Sequence, residues 1–134
     1  MPQKILIVED DAINVKFMQV VLVRKGGYEV VVSEDVEEIL TLAASGEISA
    51  IIMDISLSRS TYEGHKVDGV FITRLLKSKP ETAKVPVMLA TAHAMFGDRE
   101  KFIAETGAEH YISKPIHDPD LFLADIRKIL PKEA

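Results

Sequence analysis

The sequence predicts an α/β fold: a doubly wound, five-stranded parallel sheet with helices on both faces. Three observations predict it. Short runs such as Ile5–Val8 and Ile51–Met53 are apolar at every position, as strands covered on both faces are. These runs alternate with segments of helical period, which on this scale gives a parallel sheet with right-handed crossovers. Glycine, proline or an acid stands at nearly every junction between the two.

The elements follow in order. Ile5–Val8 is the first strand and ends in Glu9-Asp10-Asp11. A helix follows with Ile13, Phe17, Val20 and Val21 on its apolar face, stopping at Gly26-Gly27. Tyr28–Val32 is the second strand. Asp35 caps a helix whose apolar residues are Val36, Ile39, Leu40 and Ala43, closed by Gly46. Ile48–Met53 is the central strand and delivers Asp54. A polar loop runs from Ile55 to Asp68. Val70, Leu75 and Leu76 mark a helix that ends before Pro80. Val85–Ala90 is the fourth strand, with Pro86 near its start and Thr91 at its exit. A helix over Asp98–Glu105 ends at Gly107. His110–Ser113 is the fifth strand, followed by Lys114-Pro115. The last helix spans Pro119–Leu130, with Leu121, Leu123, Ile126, Ile129 and Leu130 apolar.

Bulk properties narrow the function. At 134 residues the chain is read as one domain, 1–134, without an output domain. A net charge of −5 and the lack of a Lys/Arg stripe speak against a nucleic-acid partner. Without cysteine there is neither a disulfide frame nor a thiolate zinc site. No signal-peptide pattern or membrane-length apolar stretch is present, so a cytoplasmic location is expected.

Acids end the first and third strands. Side by side in a parallel sheet, those ends lie about 5 Å apart. Glu9, Asp10, Asp11 and Asp54 then crowd one sheet edge, and like charges so close need a counter-ion. Mg²⁺ suits an all-oxygen site completed by phosphate oxygens. An aspartate is also an accepted phosphoryl nucleophile, so Asp54 is read as one. Lys114 and Thr91 leave strand ends on the same edge and supply a cation and a hydroxyl for the transferred oxygens. Ala92 is small and leaves room. Singly, each has a plainer role: Asp11 as a helix cap, Lys114 as a surface lysine, Thr91 as a capping hydroxyl. Acids after strands one and three, a hydroxyl after four and a lysine after five decide the matter jointly.

These motifs resemble the receiver domains of two-component response regulators. They are Ile5-Leu6-Ile7-Val8-Glu9-Asp10-Asp11, Met53-Asp54, Ala90-Thr91-Ala92 and Gly107 through Pro115. The stretch Ala94–Glu100, with Ile112–Ile116, looks more particularly like single-domain cell-division regulators and the receivers of hybrid histidine kinases. The resemblance implies a flavodoxin-like (βα)5 fold with strand order 2-1-3-4-5. It implies that Asp54 accepts a phosphoryl group from a histidine kinase, hybrid or not, or from a histidine phosphotransfer protein. Asp10 is then the direct Mg²⁺ ligand and Glu9 acts through water. The Ser56 carbonyl completes the shell, and Asp11 is an extra acid, cap before ligand. Lys114-Pro115 is expected to be cis. Thr91 moves toward the phosphoryl group and Tyr111 turns inward; on spacing alone, Tyr111 reads first as a half-buried strand aromatic. The face of the fourth helix, fifth strand and fifth helix then binds a downstream protein, with the chain a monomer or weak dimer. The chain is expected to be a phosphoacceptor acting on itself rather than a conventional enzyme.

One departure stands out. The family places Asp-Gly seven residues after the phosphoacceptor, behind a Met-Pro turn; here Asp68-Gly69 lies fourteen residues after Asp54 and the proline is absent. Segment Ser58–Lys66 therefore carries a seven-residue insertion. It is expected to be a mobile surface loop, with screening of the site or recognition of a kinase as alternatives. His93, two residues after Thr91, stands where the family varies phosphate lifetime. His65, His110 and His117 read as ordinary surface or edge residues. Other classes fit less well. A flavin phosphate would be repelled by the acids after strand one. An aspartate-nucleophile phosphatase would have an acid where Ser56 stands. A phosphorylation-independent scaffold leaves the complete set unexplained.

Overall fold

The computed structural model describes residues 2–92, 95 and 97–131. Strands β1 (Lys4–Val8), β2 (Glu29–Val32), β3 (Ile48–Asp54), β6 (Val87–Thr91) and β7 (His110–Ser113) form one parallel sheet in the order β2-β1-β3-β6-β7. A short antiparallel pair, β4 (Thr61–Tyr62) and β5 (His65–Lys66), stands apart from it. Counted within the main sheet, the strand order is the expected 2-1-3-4-5. The fold is the doubly wound flavodoxin-like one.

Alternation along β1 sorts the core into two layers. Leu6 and Val8 face Ile39 of helix α2 (Val36–Ala44) and Ile72 and Leu76 of helix α3 (Gly69–Ser78). Ile5 and Ile7 face Met18 of helix α1 (Ala12–Val20), and Phe122 and Ile126 of helix α5 (Pro119–Ile129). Helix α4 (Asp98–Thr106) packs on α3 and β7. Each large aliphatic so buried contributes about 1.5–3 kcal/mol. A sheet buried on both faces explains the unbroken apolar runs Ile5–Val8 and Ala50–Met53 of its central strands.

Three expectations are corrected. In the first helix Met18, Val21 and Leu22 are buried, whereas Ile13 is 81% exposed and Val20 38%. The run is apolar on several sides, so periodicity alone could not choose the stripe the sheet covers. The α-helical ladder also gives way to a π-helical turn over Val21–Lys25, closed by the Gly26 amide on the Val21 carbonyl at 3.1 Å. That turn shifts the angular spacing of its side chains. The fourth sheet strand begins at Val87 rather than Val85, because Pro86 has no amide to pair; its carbonyl accepts from the Ile51 amide at 2.9 Å. In the last helix Phe122, Leu123 and Ile126 are core, while Leu121 is 62% exposed.

The fourth correction concerns the insertion. Instead of an irregular loop, residues 61–66 form the β4–β5 hairpin, turning through Glu63 (φ 52°) and Gly64 (φ 82°). Two consecutive positive φ values are what a tight two-residue hairpin turn needs. Glu-Gly is a weak signal for that turn beside Asn-Gly or Asp-Gly, which is why the sequence did not disclose it.

Candidate functional site: an acidic pocket at the carboxyl edge of the sheet

Pairing of β1 with β3 sets Val8 beside Met53, so the next residues, Glu9 and Asp54, emerge side by side. Glu9, Asp10 and Asp54 each offer a carboxylate oxygen, and these atoms lie within 4.8 Å of one another. Glu9 and Asp54 are buried, and Asp10 is half-buried. Lys114, carried in from the end of β7, is half-buried, with its side chain only 7% exposed. Its ammonium donates to Glu9 Oε1 at 2.8 Å and lies 3.3 Å from Asp54 Oδ1. The second Glu9 oxygen accepts from the Asp11 amide at 3.1 Å, and Asp54 Oδ1 accepts from the Ser56 amide at 3.1 Å.

Electrostatics follow from this crowding. Burial pushes the Glu9 carboxyl up to about 7; the adjoining Asp54 adds to the rise and the Lys114 hydrogen bond opposes it. At Lys114 burial disfavours the charge, but the two acids outweigh it and hold the ammonium above the usual lysine range. At Asp10 burial is likewise outweighed, by two Ser58 hydrogen bonds and the Arg59 charge, so its carboxyl sits below the usual range. Three carboxylates against one ammonium leave net negative charge in a buried pocket. Its donors are all oxygen, which fits a hard divalent cation.

The other predicted residues fall into place individually. Thr91 is buried at the end of β6, and its carbonyl accepts from the Lys114 amide at 2.7 Å. Lys114-Pro115 is cis. The Asp11 side chain accepts from the Ile13 and Asn14 amides and caps α1; the acidic cluster does not include it. Ser56 is exposed and meets the site through its amide. Ala92 is exposed. Tyr111 is buried with its ring stacked on Phe102, centroids 6.0 Å apart. Its Oη has no hydrogen-bond partner among the described residues. His93 lies outside the described residues.

Sequence reasoning missed several contributors. Ser58 donates both its amide (3.0 Å) and its hydroxyl (2.7 Å) to Asp10 Oδ2, and Arg59 donates to the Asp10 carbonyl at 3.1 Å. Gly69 presses on Asp54: a Cβ there would stand 2.0 Å from the Asp54 carbonyl oxygen. The Asp68-Gly69 pair, displaced in sequence by the insertion, thus still reaches the end of β3 at Asp54. His110 is no plain surface residue. Its ring bridges Arg99 of α4 (3.1 Å) and Asp125 of α5 (3.0 Å).

Three acids, a lysine and a hydroxyl thus gather at the carboxyl edge of one parallel sheet, an arrangement compatible with a divalent cation and with phosphorylation of Asp54. The response regulator receiver domain family matches residues 5–126, and the chain belongs to it. It is 38% identical over 130 residues to the polar-differentiation response regulator DivK of Brucella anthropi, covering 97% of this chain and 98% of that one. Among solved structures, a putative response regulator from Chloroflexus aurantiacus aligns with TM-score 0.79 at 27% identity, over 96% of this chain and 98% of its own. The receiver domain of a Pseudomonas aeruginosa sensor histidine kinase, solved with a magnesium ion in its active site cleft, aligns with TM-score 0.75 at 29% identity over 96% and 98%.

Proposed function

We propose that this protein is a response regulator of a two-component phosphorelay, taking a phosphoryl group onto Asp54 from the phosphohistidine of a histidine kinase or phosphotransfer protein. The observation that carries this is the buried Asp54 carboxylate, held between Lys114 and the acids Glu9 and Asp10. The Ser56 amide and Lys114 both engage Oδ1, which leaves Oδ2 as the attacking oxygen. As the phosphorus–oxygen bond forms, the donor's phosphorus–nitrogen bond breaks. Lys114 shifts its charge to the phosphoryl oxygens, and the Thr91 hydroxyl donates to one of them. Asp10, Asp54 and Glu9 would hold a Mg²⁺ ion there, which would supply positive charge beside the transferring oxygens.

The output is a change in protein binding rather than turnover of a released substrate. A groove of about 370 Å³ on β7 and α5 is lined by Tyr111, Ile116, His117, Leu121, Phe122 and Asp125. Tyr111 belongs both to this groove and to the switch set, so its movement reshapes the surface. No described helix is long and apolar enough to cross a membrane, and the proposal places the protein in the cytoplasm.

Intact-mass spectrometry after incubation with acetyl phosphate tests this. A single phosphoryl adduct is expected, dependent on Mg²⁺ and abolished in Asp54→Asn. A folded wild-type protein that takes up nothing would point to a phosphorylation-independent scaffold.

A further inference from the structure

The turn after Asp54 lacks the proline of the family's pattern, and Ser58 stands within it. Proline has no amide hydrogen. Ser58 has one and directs it, together with its hydroxyl, at a single oxygen of Asp10. The segment is tied down on its far side. Arg59 pairs with Glu34 at 2.8 Å while donating to the Asp10 carbonyl, and the Ser60 hydroxyl donates to the Glu34 carbonyl at 2.8 Å. The Val67 amide closes the hairpin on the Ser60 carbonyl at 3.0 Å. The donors therefore come from an anchored piece of chain.

We propose that Ser58 is a positioning residue for the cation site, the foot of the inserted hairpin fixing Asp10 Oδ2 with two donors so that Oδ1 is presented to the divalent ion. This rests on the reading of Asp10 as a metal ligand. Hydrogen bonds that hold a ligating carboxylate fix its orientation, and removing them costs about 10- to 100-fold in metal affinity. The insertion is then part of the metal site, and occupancy of that site and order in the hairpin rise together.

The test is Mg²⁺ binding by calorimetry, and Mn²⁺ binding by electron paramagnetic resonance, on wild type, Ser58→Ala and Ser58→Thr. Ser58→Ala is expected to weaken both ions about ten-fold, while Ser58→Thr, which keeps both donors, binds as wild type does. Hydrogen exchange at the Ser58 and Val67 amides is expected to slow on adding Mg²⁺ to wild type. Unchanged or tighter binding in Ser58→Ala, at an unaltered melting temperature, would overturn the inference: Asp10 would then be oriented without Ser58, or Ser58 would compete with the ion. Wild type that accepts phosphate with Mg²⁺ alongside such a result sinks this inference alone. Wild type that neither binds the ions nor takes up phosphate sinks the functional reading with it.

Discussion

Gly69→Ala should cripple the site from behind. Gly69 opens α3, and its amide donates to the Ile55 carbonyl at 3.0 Å. An added Cβ would stand 2.0 Å from the Asp54 carbonyl oxygen, 2.8 Å from its carbon and 2.9 Å from the Ile55 Cα. The first contact is about 1.3 Å shorter than an ordinary carbon–oxygen approach of ~3.3 Å. Every obstructing atom is backbone, so no side chain can swing away; either α3 backs off the sheet or the end of β3 moves and takes Asp54 with it. Overpacking of this kind costs ~1–3 kcal/mol, and obstruction by backbone puts it at the upper end. Alanine's better helix propensity returns at most ~1 kcal/mol. The net loss is about 2 kcal/mol, or a melting temperature lower by roughly 6–10 °C for a domain of this size. Thermal unfolding followed by circular dichroism measures the first effect, and the rate of acetyl phosphate uptake by intact mass measures the second. Gly46→Ala is the control. Gly46 has φ 83° and nothing within 4 Å of its would-be Cβ, so the variant loses ~1–2 kcal/mol to left-handed strain yet phosphorylates normally. A Gly69→Ala protein that melts within about 2 °C of wild type and phosphorylates at the same rate would refute the reasoning.

Two further outcomes are expected. With Glu9 raised to about 7 from an ordinary 4.5, the folded state binds an extra proton between those values. The stability this contributes is complete below about pH 4.5 and is lost as pH rises through 7. In chelator the wild type should therefore melt lower at pH 8 than at pH 5.5, with Mg²⁺ or Glu9→Gln narrowing the gap; an equal pH slope in Glu9→Gln would show that another group is responsible. Tyr111→Phe removes a buried hydroxyl that has no partner among the described residues. It should raise stability by about 1 kcal/mol, and a lowered melting temperature in chemical or thermal unfolding would contradict that.

Local chemistry made much of this protein legible in one dimension. Strands buried on both faces must be apolar at every position, so β1 and β3 announce themselves in Ile5–Val8 and Ile51–Met53. Parallel strands end on a common edge, so the residues that follow them gather whatever the intervening chain does. That is why Glu9, Asp10, Asp54, Thr91 and Lys114 could be grouped without coordinates.

Contacts between elements are a different matter, because no period or composition encodes them. Lys114 reaches Glu9 across 105 residues and Ser58 reaches Asp10 across 48; both pairs exist only once the sheet has closed. The buried stripe of α1 was ambiguous because that helix is apolar on several sides, and the sheet surface selected Met18, Val21 and Leu22. In the insertion, polar composition suggested a loose loop, but Arg59 and Ser60 find Glu34, and Ser58 finds the half-buried Asp10 carboxylate. The sequence by itself determined the sheet, the order of its elements along the chain and the acidic edge, since these follow from which residues must leave water. Tertiary structure alone decided how the carboxylates are held, since that depends on distances between segments far apart in the chain.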